Sequence, residues 1–234
     1  SIYYLNALRG AIYDSAGRPL VENIPSFDLI GFRLNFKTED EIKELASRLS
    51  GVLKERTETL VDFLEKNKEQ ASFIIKKNLS KNEIIKVKSL SLPKIFVVAN
   101  SLRYYPEKTA AAHLIGYTSP VTEIDLKQDD YYLLNDKTGK AGLEAEYEQF
   151  LRGEHRRLDL KTGQENLTAR PGNSLYLSVD WKIQDQLYRT VTSVFNDGGI
   201  RKGSAIVQNP KTGEILGLVS LPSFDPNIFE NFSN

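Results

Sequence analysis

Residues 37–92 place apolar side chains every three or four positions in a background dense in lysine and glutamate, whereas the stretches on either side are short apolar runs broken by glycine, proline and aspartate. A helical period enclosed by strand-type segments admits few solutions. The simplest is an α+β fold in which a helical lobe is inserted into a β-bearing body. Thr38 is placed to cap a first helix, with Glu41 at the capping-box position. Ile42, Leu45, Leu49 and Val52 form its apolar stripe, and Gly51 weakens its end. A second helix is expected through Leu60, Phe63 and Leu64, and a strand over Phe73-Ile74-Ile75. Ser80 is expected to cap a third helix through Ile84, Ile85 and Val87, and Pro93 halts helix before a strand at Ile95-Phe96-Val97-Val98.

The flanks read differently. Ala11-Ile12-Tyr13 and Phe27–Phe32 are strand candidates, with Asp14-Ser15-Ala16-Gly17 as a tight turn. The spacing predicts one helix from Gly142 to Gly153, with Gly153 as its C-cap. A strand over Tyr176–Val179 leads to Asp180, which caps a helix striped by Ile183, Leu187, Val191 and Val194 and ended by Gly198-Gly199. Ser204–Gln208 and Ile215–Ser220 are expected to pair as a hairpin through Asn209-Pro210-Lys211-Thr212-Gly213.

Charge narrows the function classes. Across 234 residues, 31 Lys and Arg balance 31 Asp and Glu. Nucleic-acid binding rests on neutralising phosphates and normally shows a basic excess, so no nucleic-acid partner is expected. The local cluster of Arg152, Arg156 and Arg157 reads as a solvated basic turn. Cysteine is absent, which removes disulfides, thiol catalysis and thiolate metal sites. Two lone histidines do not make a zinc site. His113 reads as a packed, hydrogen-bonded core residue and His155 as a solvated one, so neither a metal nor a cofactor is expected. No run of about 18 apolar residues is present to span a bilayer. The chain begins at Ser1 and contains no Met, and a processed product or a piece of a longer protein is expected.

Several strings, in order along the chain, resemble the class B penicillin-binding proteins. They are Arg9-Gly10-Ala11-Ile12-Tyr13-Asp14 with Gly17 and Leu20, then Arg103-Tyr104-Tyr105-Pro106 and Ala112-His113-Leu114-Ile115-Gly116-Tyr117. Gly139-Lys140-Ala141-Gly142-Leu143-Glu144 follows, with Tyr147 and Leu151-Arg152-Gly153. The last are Val179-Asp180-Trp181-Lys182-Ile183-Gln184, the Gly203–Ile215 hairpin and Ser223-Phe224-Asp225-Pro226-Asn227. Ser15 stands where the family string carries arginine. The helical insertion and the Arg103–Pro106 string are closer to elongation-type members than to division-type ones.

The resemblance implies an elongated dimerisation (pedestal) domain with an inserted helical head. Residues 1–36 would be its first β segment, 37–92 the head lobe, 93–170 the rest of the pedestal, and 171–234 the incomplete start of a transpeptidase domain. The structural motif residues it points to are Arg9, Gly10, Asp14, Arg103, Pro106, Gly142, Glu144 and Arg152. Arg9 or Arg103 is expected to pair with Glu144 and knit distant segments together, and Gly10, Gly139 and Gly142 to sit where a Cβ would clash. The implied role is a non-catalytic support for a peptidoglycan D,D-transpeptidase in cell-wall synthesis and cell-shape maintenance, outside the cytoplasmic membrane and anchored by a transmembrane helix that precedes this sequence. The implied partners are a SEDS-type glycan polymerase, an MreC-type scaffold and a second copy of the chain.

Enzymes of that family acylate a serine in S-x-x-K, assisted by S-x-N and K-T-G strings. Look-alikes occur here. Ser91-Leu92-Pro93-Lys94 reads as a loop before a strand rather than a helix start. Ser80-Lys81-Asn82 precedes it, reversing the family order. Lys-Thr-Gly recurs at 137–139, 161–163 and 211–213, each beside turn chemistry. No catalytic residue is assigned. Two other classes stay open: a small enzyme built on those strings, and an extracytoplasmic scaffold or adhesion module unrelated to the family.

Overall fold

The architecture comes from a computed structural model that describes residues 2–32, 36, 38–159, 164–165, 169–199 and 201–230. Along the chain run β1 (Ile2–Leu5), β2 (Ile12–Tyr13), β3 (Pro19–Phe32), α1 (Glu39–Leu53), α2 (Thr57–Asn67), β4 (Ser72–Lys76), α3 (Lys81–Ser89) and β5 (Ile95–Tyr104). There follow α4 (Ala112–Ile115), β6 (Tyr117–Pro120), α5 (Glu123–Gln128), β7 (Lys137–Ala141), α6 (Gly142–Glu146), α7 (Glu148–Leu151), β8 (Arg156–Asp159), β9 (Gln164–Glu165), β10 (Leu175–Tyr176), α8 (Trp181–Gly198), β11 (Gly203–Gln208) and β12 (Ile215–Leu221). Short 3₁₀ turns occupy Lys108–Ala111 and Pro226–Phe229. The class is mixed α+β. The chain divides into two compact units, an inserted unit of Pro25–Ser101 and a split unit made of Ser1–Ile24 and Leu102–Asn234.

The inserted unit takes in more than the helical stretch of 37–92, because strand residues Leu29 and Ile95 belong to its core. In its hydrophobic core Ile42, Ala46 and Leu49 from α1, Leu60 and Leu64 from α2, Phe73 from β4 and Val87 from α3 close on one another. Burying a leucine-sized side chain is worth about 1.5–3 kcal/mol, so one such stripe per helix holds the layer together. The helix starts agree with local chemistry. Thr38 Oγ1 accepts the Glu41 N–H, and Ser80 and Glu83 form a reciprocal capping box. Gly51 lies inside α1, which runs on to Leu53 and ends where Lys54 turns left-handed at φ 59°. β3 and β4 pair antiparallel with Ile30 opposite Ile74.

The split unit is assembled from segments far apart in sequence. β1, β8 and β9 form one antiparallel sheet. β2 lies between β10, parallel, and the first residues of β3, antiparallel. β6 pairs with β7, and β11 with β12. A core of Ile12, Leu20, Val21, Tyr105, Ile115, Leu151 and Trp181 binds these pieces. α8 is fastened to the β11–β12 hairpin by buried Gln184, whose Nε2 donates to Ala110 O at 2.6 Å and Leu218 O at 2.8 Å while its Oε1 accepts Leu218 N–H at 2.7 Å.

Two elements differ from expectation. The single helix over 142–153 is two, broken at Tyr147 (φ −104°, ψ 26°), and the chain leaves α7 in extended backbone at Arg152, so Gly153 is not its cap. The Glu144 carbonyl accepts Arg9 Nη2 at 2.8 Å, which competes with a continuous helical ladder at the break. The strand expected over 176–179 is the two-residue β10, matched in length to β2, its partner. No helix among the described residues is long and apolar enough to cross a membrane.

Candidate functional site: a buried ion cluster

The centre of the split unit is a carboxylate. Glu144, on α6, is fully buried. Arg9 Nε donates to its Oε2 at 2.6 Å and Arg103 Nε to its Oε1 at 2.7 Å. These residues lie 135 and 41 positions from Glu144 in sequence, so the pair of contacts joins three remote segments. The expectation placed one arginine on Glu144; the structure places both. Arg9 also reaches Glu148 Oε2 at 2.7 Å, and Glu148 in turn accepts Gly139 N–H at 2.8 Å and the Tyr132 hydroxyl at 2.9 Å. Asn23 bridges the arginines: its Nδ2 donates to Arg9 O and its Oδ1 accepts Arg103 Nη1.

The electrostatics follow from burial. Desolvation alone would raise the Glu144 pKa, but Arg103 and then Arg9 outweigh it and hold the carboxyl below its ordinary value. Burial works against the charge of Arg9, yet Glu144 and Glu148 raise its pKa on balance. Tyr105, whose hydroxyl lies 3.4 Å from Glu144 Oε1, is pushed upward by burial and by that carboxylate. It therefore acts as a hydrogen-bond donor rather than a titrating group. Arg103 Nη2 is buried without a hydrogen-bond partner among the described residues.

The other motif residues frame this cluster. Gly10 lets the chain pass so close to residue 173 that a Cβ would lie 1.8 Å from Asn173 O, while Gly10 N–H donates to Leu151 O at 2.8 Å. Gly142 has φ +57° and backs onto Gly116, where a Cβ would fall 2.6 Å from its nitrogen. The Gly142 approach fixes the first residue of α6, the helix that carries Glu144. Asp14 builds the turn after β2, its Oδ1 accepting Ala16 N–H at 2.9 Å and Arg18 N–H at 2.7 Å. Pro106 follows Tyr105 in the turn that leaves β5.

Three sequence readings are corrected. Arg152 is not part of a solvated turn: it pairs with Asp129 and lies 4.1 Å over the Tyr131 ring, while Arg156 and Arg157 sit on β8. His155 is packed rather than solvated, stacked 4.5 Å from Tyr131 with Nε2 2.7 Å from Asp136 Oδ2. His113 is exposed instead of buried, though its Nε2 meets Pro222 O at 2.8 Å. Sequence reasoning also missed Glu148, Lys137, Thr118 and Glu230, polar residues without periodic signal.

The enzyme look-alikes take structural places. Ser80 Oγ is used as a helix cap, and Ser91 and Lys94 lie in a turn with φ +46° and +62°, not on one helical face. Lys137 begins β7, Lys211 lies in the hairpin turn, and 161–163 fall outside the described residues.

Remote segments meeting on one buried carboxylate agree with a match to the penicillin-binding protein dimerisation domain over residues 4–170. The chain belongs to that family. Among its relatives, the peptidoglycan D,D-transpeptidase MrdA of Acinetobacter baumannii is 31% identical over 94% of this chain and 34% of its own length. Penicillin-binding protein 3 of Bacillus subtilis is 35% identical over 94% of this chain and 33% of its own length. The chain thus spans about a third of these penicillin-binding relatives. The fold is also that of the complex between penicillin-binding protein 2 and MreC from Helicobacter pylori, with TM-score 0.75 and 22% identity over 98% of this chain and 44% of that one. Membership removes the reading as an unrelated scaffold or adhesion module.

Proposed function

We propose that this chain is the non-catalytic support of a peptidoglycan D,D-transpeptidase in bacterial cell-wall synthesis, holding a catalytic domain away from the membrane and offering surfaces to partners. The observation that carries the reading is the likeness of 94% of this chain to a third of D,D-transpeptidase MrdA, in a region whose convergent charges are spent on one another. An ion cluster that closes three segments serves rigidity, since its carboxylate and guanidinium groups already bond each other. The family match ends at residue 170, which supports taking 171–234 as the start of a transpeptidase domain. The MrdA likeness favours the elongation branch, with a role in cell shape and a place on the outer face of the cytoplasmic membrane, anchored by a preceding helix. The Helicobacter complex supports an MreC-type scaffold as a partner. A SEDS-type glycan polymerase and a second copy of the chain complete the proposed set.

Incubation with a fluorescent penicillin tests the non-catalytic part: the chain is expected to stay unlabelled, and a covalent serine adduct overturns it. Titration of the immobilised chain with the extracytoplasmic part of an MreC-type scaffold tests the partner part. Saturable binding is expected, and its absence removes that partner.

A further inference from the structure

Residues 223–230 leave the β11–β12 hairpin and return to the ion cluster. Ser223 Oγ donates to Thr109 O at 2.6 Å. Asn227 grips the backbone of Tyr105 at both ends, accepting its N–H at 3.0 Å and donating to its carbonyl at 2.9 Å. Phe229 stacks on Tyr117 with ring centroids 3.8 Å apart. The segment ends in Glu230, whose side chain is 3% exposed. Its Oε1 accepts the Thr118 hydroxyl, and its Oε2 accepts Arg103 N–H at 3.2 Å and pairs with Lys137 Nζ. Thr118 N–H donates to the Tyr105 hydroxyl at 3.0 Å, and that hydroxyl reaches Glu144.

With Glu230 in place the cluster holds Arg9, Arg103 and Lys137 against Glu144, Glu148 and Glu230, three charges of each sign. Withdrawing Glu230 leaves the cluster one positive charge in excess, takes the carboxylate from Lys137 and the Arg103 N–H, and leaves the Thr118 hydroxyl only the Tyr105 hydroxyl at 3.4 Å. A buried group stripped of its partner costs more than the pair was worth, so the deficit spreads to what remains. We propose that residues 223–230 are a conformational latch. Glu230 completes the neutral ion cluster, and docking of this strap is energetically coupled to the packing of α6 around Glu144. The coupling goes beyond a support role, because it gives a segment on the hairpin side a means to tighten or loosen the core.

Amide hydrogen exchange across the chain tests the latch in a double-mutant cycle. Glu230→Gln is expected to speed exchange about tenfold both in 223–230 and in 142–148, leaving 38–98 as an internal control unchanged. Lys137→Met with Glu230→Gln restores neutrality, and the double variant is expected to exchange more slowly in 142–148 than Glu230→Gln alone. If the two substitutions simply multiply, or if Glu230→Gln loosens the strap while 142–148 is unaffected, the latch is overturned. Should Glu230→Gln fail to fold, Asn227→Ala frees the strap without altering any charge. It is expected to accelerate 142–148 as well, and unchanged exchange there overturns the proposal.

Discussion

The inserted unit and the split unit solve the same problem with different forces. The inserted unit is one continuous run, Pro25–Ser101, and its core is a set of apolar stripes on helices whose neighbours are close in sequence. It also has polar anchors, as where buried Asp28 accepts Asn78 N–H at 2.9 Å and the Asn100 side chain at 2.8 Å. The split unit must bring residue 9, residue 103 and residue 144 to one point, and it does so with buried charge. Apolar packing is non-directional and tolerates sliding, whereas a carboxylate between two arginines accepts few arrangements. Buried ion pairs seldom add net stability over an apolar replacement. What they supply here is register between segments that local sequence does not hold together.

The sharpest way to break this comparison is to remove the shared carboxylate. Glu144→Ala leaves Arg103 buried without a carboxylate and Arg9 with Glu148 alone, and is expected to cost about 3–5 kcal/mol, read as a lowered urea midpoint. The loss should fall on the split unit, with amide exchange in α6, β7 and residues 102–104 rising while the inserted unit keeps its protection. Equal loss in both units would mean that the cluster does not belong to one of them. The matching change in the inserted unit is Leu64→Ala, at a fully buried position of α2. It is expected to cost about 2–5 kcal/mol through the cavity it leaves, with no dependence on salt or acid. A strongly salt-dependent penalty there would show that charge matters in that core too.

Acid should separate the two units more gently. Glu144 is held below its ordinary pKa of 4.5, so the unfolded chain binds its proton more readily than the folded one. The stabilisation is therefore complete above pH 4.5 and is lost as pH falls through the depressed value. The inserted unit has a depressed carboxyl of its own, Glu83, where burial is outweighed by Ser80 and Lys76, but its side chain is 16% exposed and Glu144 is fully buried. The split unit is thus expected to lose exchange protection first on acidification below pH 4.5. Melting of the inserted unit ahead of it would reverse the assignment.

What was legible in the sequence follows the same division. The helices of the inserted unit could be read from stripe and cap, because Thr38, Ser80 and the Ile42–Val52 repeat act within a few residues. The helix start at Asp180 and the β11–β12 hairpin were readable for the same reason. Arg9, Arg103 and Glu144 entered through resemblance, not periodicity, and the expectation reached only one of the two arginines. Glu148, Thr118 and Glu230 left no trace, and Lys137 stood out only as part of a Lys-Thr-Gly string, since a polar residue that will be buried by a remote segment looks locally like one facing water. The break at Tyr147 was hidden for a related reason: the group that takes the Glu144 carbonyl is Arg9, which sits 135 positions away. The hydrogen bond expected of His113 is present, to Pro222 O, but its burial is not, and His155 is packed where solvation was expected, because Tyr131 and Asp136 that cover it are not near neighbours in sequence.

The smallest expected effect tests whether the inserted unit is governed by local terms. Ser80 caps α3 by accepting Glu83 N–H at 3.3 Å, while Glu83 Oε2 accepts Ser80 N–H at 2.8 Å and also its hydroxyl at 2.7 Å. Ser80→Ala removes the cap acceptor and the hydroxyl bonded to Glu83 Oε2, but leaves the backbone N–H of residue 80 on that oxygen and the Lys76–Glu83 pair in place. The expected cost is about 1 kcal/mol, the usual worth of an N-cap. Because Val87 is the single buried residue of α3, fraying should stay within that helix, seen as faster exchange over 81–89. Exchange in α1 and α2, whose stripes supply most of the core, should not move. Spread of the effect into those helices would mean that the capping box holds more than its own turn, and that the inserted unit depends on specific polar geometry as the split unit does.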